Sequence, residues 1–311
     1  MYKGHQITVV APAHNESTHI GEVIARMPEL VDRIIVVDDC SSDNTAEIAV
    51  GSGDLRVVVL SLPVNQGVGG AMAAGYRKAV ELGGGIIVKM DGDGQMPPEY
   101  LPDLLDAIVD LGFDYAKGNR FLTGEHIREM PPHRIIGNVI LTFMTKMASG
   151  YWHIFDPQNG YTAITSRVLS TLNLSGLHRG FFFENDMLVR LNFGGYRVKD
   201  VAMAAKYGTE ESDINILRIA FTFPLLLLRK FFYRIVQKYV LRDFSPIALF
   251  LFLGLALFLW GFGLGMYLWV KTIITHLATA TGTIMLALLP LILGFQLILQ
   301  AVVLDIQETP K

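Results

Sequence analysis

Two uncharged apolar runs near the C-terminus constrain this chain most. Residues 244–270 and 283–304 contain no Asp, Glu, Lys or Arg. Each is longer than the ~20 residues a helix needs to cross ~30 Å of hydrocarbon. The link 271–282 is short and polar, so residues 244–311 predict a hairpin of two transmembrane helices. The alternative, two buried helices of a large soluble core, does not need runs of this length. Just upstream, residues 214–242 hold Arg218, Arg229, Lys230, Arg234, Lys238 and Arg242 and no acidic residue. Apolar residues recur there at helical spacing, first Ile216, Leu217, Ile219, Ala220 and Phe223, then Phe231, Phe232, Ile235, Val236 and Tyr239, with Pro224 breaking the run. The segment 214–243 therefore reads as one or two amphipathic helices in the membrane interface. A helix packed on the globular part, with a solvated basic side, is the competing reading. Excess Lys and Arg mark the cytoplasmic side of a membrane. That rule places residues 1–213 in the cytoplasm and returns 305–311 to the same side.

The remainder is globular in composition. Of the 26 Lys and Arg, six lie in the basic belt, whereas all 29 Asp and Glu lie outside it. An acidic globular part is a poor nucleic-acid binder. Cys40 is the one cysteine, which excludes an intrachain disulfide. The apolar run 7–13 is too short for a signal peptide and ends at His14-Asn15-Glu16.

The first hundred residues alternate apolar strands (7–11, 33–37, 56–60, 86–90) with helical stretches (18–27, 43–49, 69–82, 98–111). Strands that are apolar throughout and alternate with helices predict an α/β fold, a mostly parallel sheet covered on both faces. In such sheets ligands bind beyond the carboxyl ends of the strands. Three segments occupy those positions: 12–16, 38–43 and 91–95.

The strongest is Asp91-Gly92-Asp93-Gly94-Gln95. Its carboxylates and amide oxygen, at alternate positions of an extended loop, can converge on one hard divalent cation, Mg²⁺ or Mn²⁺, that would bridge a nucleotide diphosphate. A glycine-rich acidic surface turn is the bland alternative, and Pro102 at the twelfth position excludes an EF-hand. In Asp38-Asp39-Cys40-Ser41-Ser42-Asp43 a carboxylate can accept from a base or ribose, and Ser41 or Ser42 can cap the next helix. Pro12-Ala13-His14-Asn15-Glu16 lacks the Gly-x-Gly-x-x-Gly of a dinucleotide fold, and no Walker sequence is present.

Together with Asn65-Gln66-Gly67, these segments resemble the motif series of family 2 glycosyltransferases. Within it they are most similar to the polyprenyl-phosphate glycosyltransferases, such as dolichyl-phosphate mannose synthases and bacterial polyprenyl-phosphate glucosyltransferases. The resemblance spans about residues 5–213, and the two-span tail is similar to that of the bacterial members. It implies a GT-A (Rossmann-like) catalytic domain over 1–213. It also implies that Pro12, His14, Glu16, Val37, Asp39 and Asp91 bind the donor nucleotide, and that Asp91, Asp93 and Gln95 hold the metal. Arg120, in Gly118-Asn119-Arg120-Phe121, matches an arginine near the acceptor phosphate. Arg134 and Asn138 match a basic and a polar residue facing the lipid phosphate, and Lys206 lies in a late closing loop. Arginine suits phosphate because its planar fork bonds two oxygens, although a lone arginine also suits a solvated surface. Asn159, in Asp156-Pro157-Gln158-Asn159-Gly160-Tyr161, falls in the loop that shapes the sugar pocket. Glu184 and Asp186 can bond sugar hydroxyls or simply complement a helix N-terminus.

The implied reaction transfers a sugar, with inversion, from a nucleotide sugar to a polyprenyl (undecaprenyl or dolichyl) phosphate at the cytoplasmic face of the inner membrane. UDP-glucose is the first donor expected and GDP-mannose the second. A phosphate monoester with a second pKa of about 6 is already anionic at neutral pH, so it needs no strong general base. Asp93, Arg120 and Arg134 are the catalytic expectations. Two other readings share the fold. A processive polysaccharide synthase would carry Gln-x-x-Arg-Trp, which is missing before Trp152, Trp260 and Trp269. An inactive scaffold would have lost its metal ligands. Self-association through the two spans is a further expectation.

Overall fold

The computed structural model describes residues 1–122, 132–204 and 216–310. Its elements run β1 (Ile7–Ala13), α1 (Ile20–Ala25), β2 (Arg33–Asp38), α2 (Thr45–Val50), β3 (Val57–Ser61), α3 (Val68–Glu81), β4 (Ile86–Lys89), α4 (Leu101–Val109), β5 (Tyr115–Asn119), α5 (Pro132–Ser149), β6 (Thr162–Thr165), α6 (Ser166–Thr171), α7 (Phe183–Gly194), β7 (Val198–Ala202), α8 (Ile216–Val236), α9 (Pro246–Thr275) and α10 (Thr281–Gln307). They form two compact units, residues 1–230 with 310–311, and residues 231–309.

In the first unit seven strands form one sheet in the order β3-β2-β1-β4-β6-β5-β7. The pairs β1–β2, β1–β4, β2–β3 and β5–β7 are parallel, while β6 runs antiparallel to β4 and β5. The first four strands are apolar on both sides because both sides are buried. Ile7, Val9, Ile34, Val36, Ile86 and Val88 face α1 and α4, and Val10, Ile35, Val37 and Ile87 face α3 and α7. The reversed β6 matters for the site. Its first residue, Thr162, lies opposite Lys89 at the carboxyl end of β4. The segment entering β6 is thereby delivered to the end of the sheet where the loops after β1, β2 and β4 emerge.

The second unit holds the end of α8, a π-helical turn (Gln237–Arg242), α9 and α10. Pro224 does not divide α8, which runs through it. The helical φ is one proline already prefers, so the cost is one missing backbone bond and local crowding rather than a forced stop. Ser245 caps α9, accepting from Ile247 N, with Pro246 at the first helical position. The 30 residues of α9 and 27 of α10 are long and apolar enough to cross a membrane. Their backbones touch. A Cβ on Gly261 would lie 2.6 Å from Ala287 O, and one on Gly294 would lie 2.4 Å from Phe258 N. The outward faces expose Leu259, Trp260, Trp269, Leu286 and Leu293, an apolar surface that water would not tolerate at this extent.

Arg234, read from sequence as part of an interfacial basic belt, is wholly buried. Its Nη1 and Nη2 donate to Asp305 at 2.7 and 2.9 Å, and Tyr239 Oη donates to the same carboxylate at 2.7 Å.

Candidate active site

The loops after β1 and β2 hold each other. Asn15 is left-handed (φ 58°), a region Asn enters at low cost. Its backbone N–H donates to Ser41 Oγ at 2.9 Å, and its Oδ1 accepts from Ser42 N at 2.8 Å and Ser42 Oγ at 3.1 Å. These serines are therefore engaged by the β1 loop and do not cap α2, contrary to the sequence expectation. Asp43 bonds the first turn instead, accepting from Thr45 Oγ1 and N and from Ser17 N, led by Thr45, which together lower its pKa to about 2.

Asp39 reaches the third loop: its Oδ1 accepts from Gln66 N at 2.7 Å. The next residue, Gly67, has φ 73°, and a Cβ there would sit 2.6 Å from Arg179 O. Only glycine satisfies both conditions. His14 Nδ1 donates to Asp39 O at 2.9 Å, which leaves Nε2 to accept from the Asn65 and Asn15 amides at 3.3 Å. The imidazole is thus fixed in tautomer and orientation.

The loop after β4 carries Asp91 and Asp93. Gly92 N donates to Pro12 O at 3.2 Å, and Gln95 N to Asp93 Oδ1 at 2.9 Å. Two residues before Asp91 stands a group the motif reading missed. Lys89 is 1% exposed, with Nζ 2.6 Å from Asp91 Oδ1 and 3.4 Å from Glu184 Oε1. Burial disfavours its charge, but the two carboxylates outweigh burial and hold it protonated. Burial pushes the Glu184 carboxyl above its ordinary range, with Lys89 opposing. The signal was present in the sequence: a lysine inside an apolar strand needs a buried partner.

These groups line a cavity of about 610 Å³. Of the sequence-derived residues, Pro12, His14, Glu16, Asp39, Asp91, Asp93 and Glu184 line it. Gln158 and Gly160 from the segment before β6 close one side, and Phe181 and Phe223 also border it. Other expected residues lie elsewhere. Val37 is buried in the core against α3. Gln95 is not on the wall. Asn159 shapes its own loop, its Oδ1 accepting from Tyr161 N at 3.0 Å and its Nδ2 donating to Asp156 and Met203. Asp186 lies two residues along α7 from Glu184, which turns it to another side of the helix. There it accepts from Lys230, from Arg190 Nε at 3.3 Å and from His178 N at 3.0 Å.

Arg120 is also engaged. Its Nε donates to Asp156 Oδ2 at 2.7 Å and its Nη2 to Asp156 Oδ1 at 2.8 Å, a bidentate pair. Burial raises the Asp156 pKa, but the bonds and charge of Arg120, with Lys117 behind, bring it below the ordinary value. Lys117 is buried beneath this loop and donates to Phe155 O at 3.0 Å and Asp156 O at 2.5 Å. Asn138 is half-buried on α5, whose exposed side carries Val139, Ile140 and Phe143. Arg134 falls within α5, but its side chain lies outside the described residues, as does Lys206.

Asp91 and Asp93 offer hard carboxylate oxygens one residue apart on the cavity wall. Among the described residues no larger group of His, Cys, Asp and Glu could hold a metal ion. That donor set fits Mg²⁺ or Mn²⁺ bound by one or two carboxylates, with substrate phosphate and water completing the shell.

A mostly parallel α/β sheet with acidic loops at its carboxyl edge is a frame that places ligands beyond the strand ends, and comparison says which class uses it here. The glycosyl transferase family 2 profile matches residues 8–172, and the chain belongs to that family. A UDP-N-acetylglucosamine–dolichyl-phosphate N-acetylglucosaminyltransferase of Methanococcus voltae is 31% identical over 182 residues, 54% of this chain and 72% of that one. A polyprenol monophosphomannose synthase of Mycolicibacterium smegmatis is 32% identical over 200 residues, 62% and 74% of the two chains. Among solved structures, glucosyl-3-phosphoglycerate synthase from Mycobacterium tuberculosis, in complex with Mn²⁺, UDP-glucose and phosphoglyceric acid, superposes with TM-score 0.56. It covers 74% of this chain and 80% of that one at 22% identity, a likeness of fold.

Proposed function

We propose that this protein transfers a sugar from a nucleotide sugar to a polyprenyl phosphate at the cytoplasmic membrane face, with inversion at the anomeric carbon. One observation carries the reading: a cavity walled by Asp39, Asp91 and Asp93 belongs to a chain that also bears two helices able to span a membrane. The two relatives named above act, by their names, on dolichyl or polyprenol phosphates. They differ in sugar, N-acetylglucosamine and mannose, so UDP-glucose stays the first donor to test and GDP-mannose the second.

In this reading His14, Asp39 and Glu16 receive the base and ribose. Asp91 and Asp93 hold Mg²⁺ or Mn²⁺, which supplies charge neutralisation for the departing nucleoside diphosphate. The acceptor phosphate is the nucleophile and carries its own negative charge, so it needs no strong general base. Arg134 and Asn138 belong to a helix whose exposed Val139, Ile140 and Phe143 suit a lipid surface. Arg120, oriented by Asp156 through two of its five N–H groups, is the further arginine offered to that phosphate. The test is transfer from labelled UDP-glucose and GDP-mannose in membranes supplied with undecaprenyl or dolichyl phosphate. Label should appear in an organic-extractable, acid-labile lipid and vanish in Asp93→Ala and Arg134→Ala. Persistence in both variants, or label only in water-soluble polymer, overturns the reading.

A further inference from the structure

Lys89 has no role in the motif reading, and its place beside Glu184, the residue the resemblance offers to a sugar hydroxyl, is that of a ligand site. Lys89 Nζ lies 2.6 Å from Asp91 Oδ1 and 3.4 Å from Glu184 Oε1, ion-pair distances without an aligned hydrogen bond, and the buried Asp91 Oδ1 has no hydrogen-bond partner among the described residues. Glu184 is 9% exposed, and among the described residues Lys89 is the cation paired with it. Both line the cavity. A buried donor and a buried carboxylate left with spare capacity are costly unless a ligand completes them. The wall above them is bare backbone: a Cβ on Gly160 would lie 2.3 Å from Lys89 Nζ and 3.0 Å from Asp91 Oδ2. Asp91 ties the pair to the loop that receives the diphosphate, so what projects from that diphosphate meets Lys89 and Glu184 next.

We infer that Lys89 and Glu184 read two adjacent hydroxyls of the donor sugar, Lys89 donating to the oxygen of one and Glu184 accepting from the O–H of its neighbour. The inference rests on the proposal that the donor is a nucleotide sugar. A purely structural Lys89, present to balance Asp91, would need no place on the cavity wall.

The experiment uses the full chain in detergent with Mn²⁺ and measures equilibrium binding of UDP, GDP, UDP-glucose, GDP-mannose and the monodeoxy analogues of whichever sugar nucleotide binds better. On the wild type, removing either of two neighbouring hydroxyls should weaken binding about tenfold or more, as expected for a hydrogen bond to a charged group. On Lys89→Met, the analogue lacking the Lys89-bonded hydroxyl should bind as well as the parent sugar, while the other analogue still shows its loss. Lys89→Met/Glu184→Leu, which removes both the donor and the acceptor, should be insensitive to both. Equal losses on every analogue in wild type and variants overturn the inference. So does a wild type indifferent to all single hydroxyls, a result that does not depend on any variant folding. If the wild type binds no sugar nucleotide better than its bare diphosphate, the underlying proposal of function fails instead.

Discussion

The buried ion pair of the second unit allows a sharp test. Arg234 is fully buried and Asp305 nearly so, joined by two N–H···O bonds with Tyr239 as a third donor. Asp305→Asn keeps the shape but leaves a guanidinium uncompensated, which costs about 3–5 kcal/mol. Tyr239→Phe removes one hydrogen bond to a charged acceptor, about 1.5 kcal/mol. Arg234→Met/Asp305→Leu removes both charges and should lie within about 1 kcal/mol of the wild type, or above it, because desolvation of both ions is relieved. Two of the three tryptophans, Trp260 and Trp269, lie in α9. On a Trp152→Phe background, fluorescence-detected melting in detergent therefore reports this unit alone. For a unit of this size the single variant should lower the midpoint on the order of 10 °C or more. A double variant as unstable as Asp305→Asn would refute the reasoning, since the loss would then lie in packing rather than in an unpaired charge.

Three further outcomes follow from the first unit and the hairpin. Because Asp156 has a depressed folded pKa, its contribution is complete above the ordinary ~3.9 of an unfolded Asp and is lost as pH falls through the folded value. Asp156→Asn should be less stable at pH 7 and should lack that acid-side loss when unfolding is followed by circular dichroism between pH 5 and 2. Gly160→Ala would press a methyl against Lys89 Nζ and should lower kcat/KM for the donor about tenfold while moving the melting midpoint little; unchanged kinetics would show that the lysine shifts freely. Gly261→Leu would drive side-chain carbon into the Ala287–Leu291 backbone. Its α9 melting midpoint, read by the same tryptophans, should fall by several degrees, and an unchanged midpoint would mean the two helices separate at no cost.

What the sequence showed and what it hid divide along one physical line. Strands β1 to β4 were legible because burial on both faces makes them apolar runs, and their loops were legible because carboxylates at strand ends are local patterns. Strands β5 and β7, Tyr-Ala-Lys-Gly-Asn and Val-Lys-Asp-Val-Ala, do not look buried. β5 is buried throughout because its Lys117 is neutralised across the sheet by Asp200 of β7, a strand in which Val198 alone is fully buried. Lys117 stands opposite Asp200, Thr162 opposite Lys117, and Lys89 opposite Thr162. Register partners share a face, so the four form one polar row across β4, β6, β5 and β7, on the side of the sheet where Glu184 lies. Arg234 misled in the same way, since its partner Asp305 is 71 residues distant. A charge whose partner is remote in sequence reads as a surface charge, and only topology corrects it. Here the correction bears on chemistry. Reversing β6 both completes the polar row and carries Gln158 and Gly160 to the cavity, so the feature least visible in the sequence is also the one that closes the cavity beside Lys89.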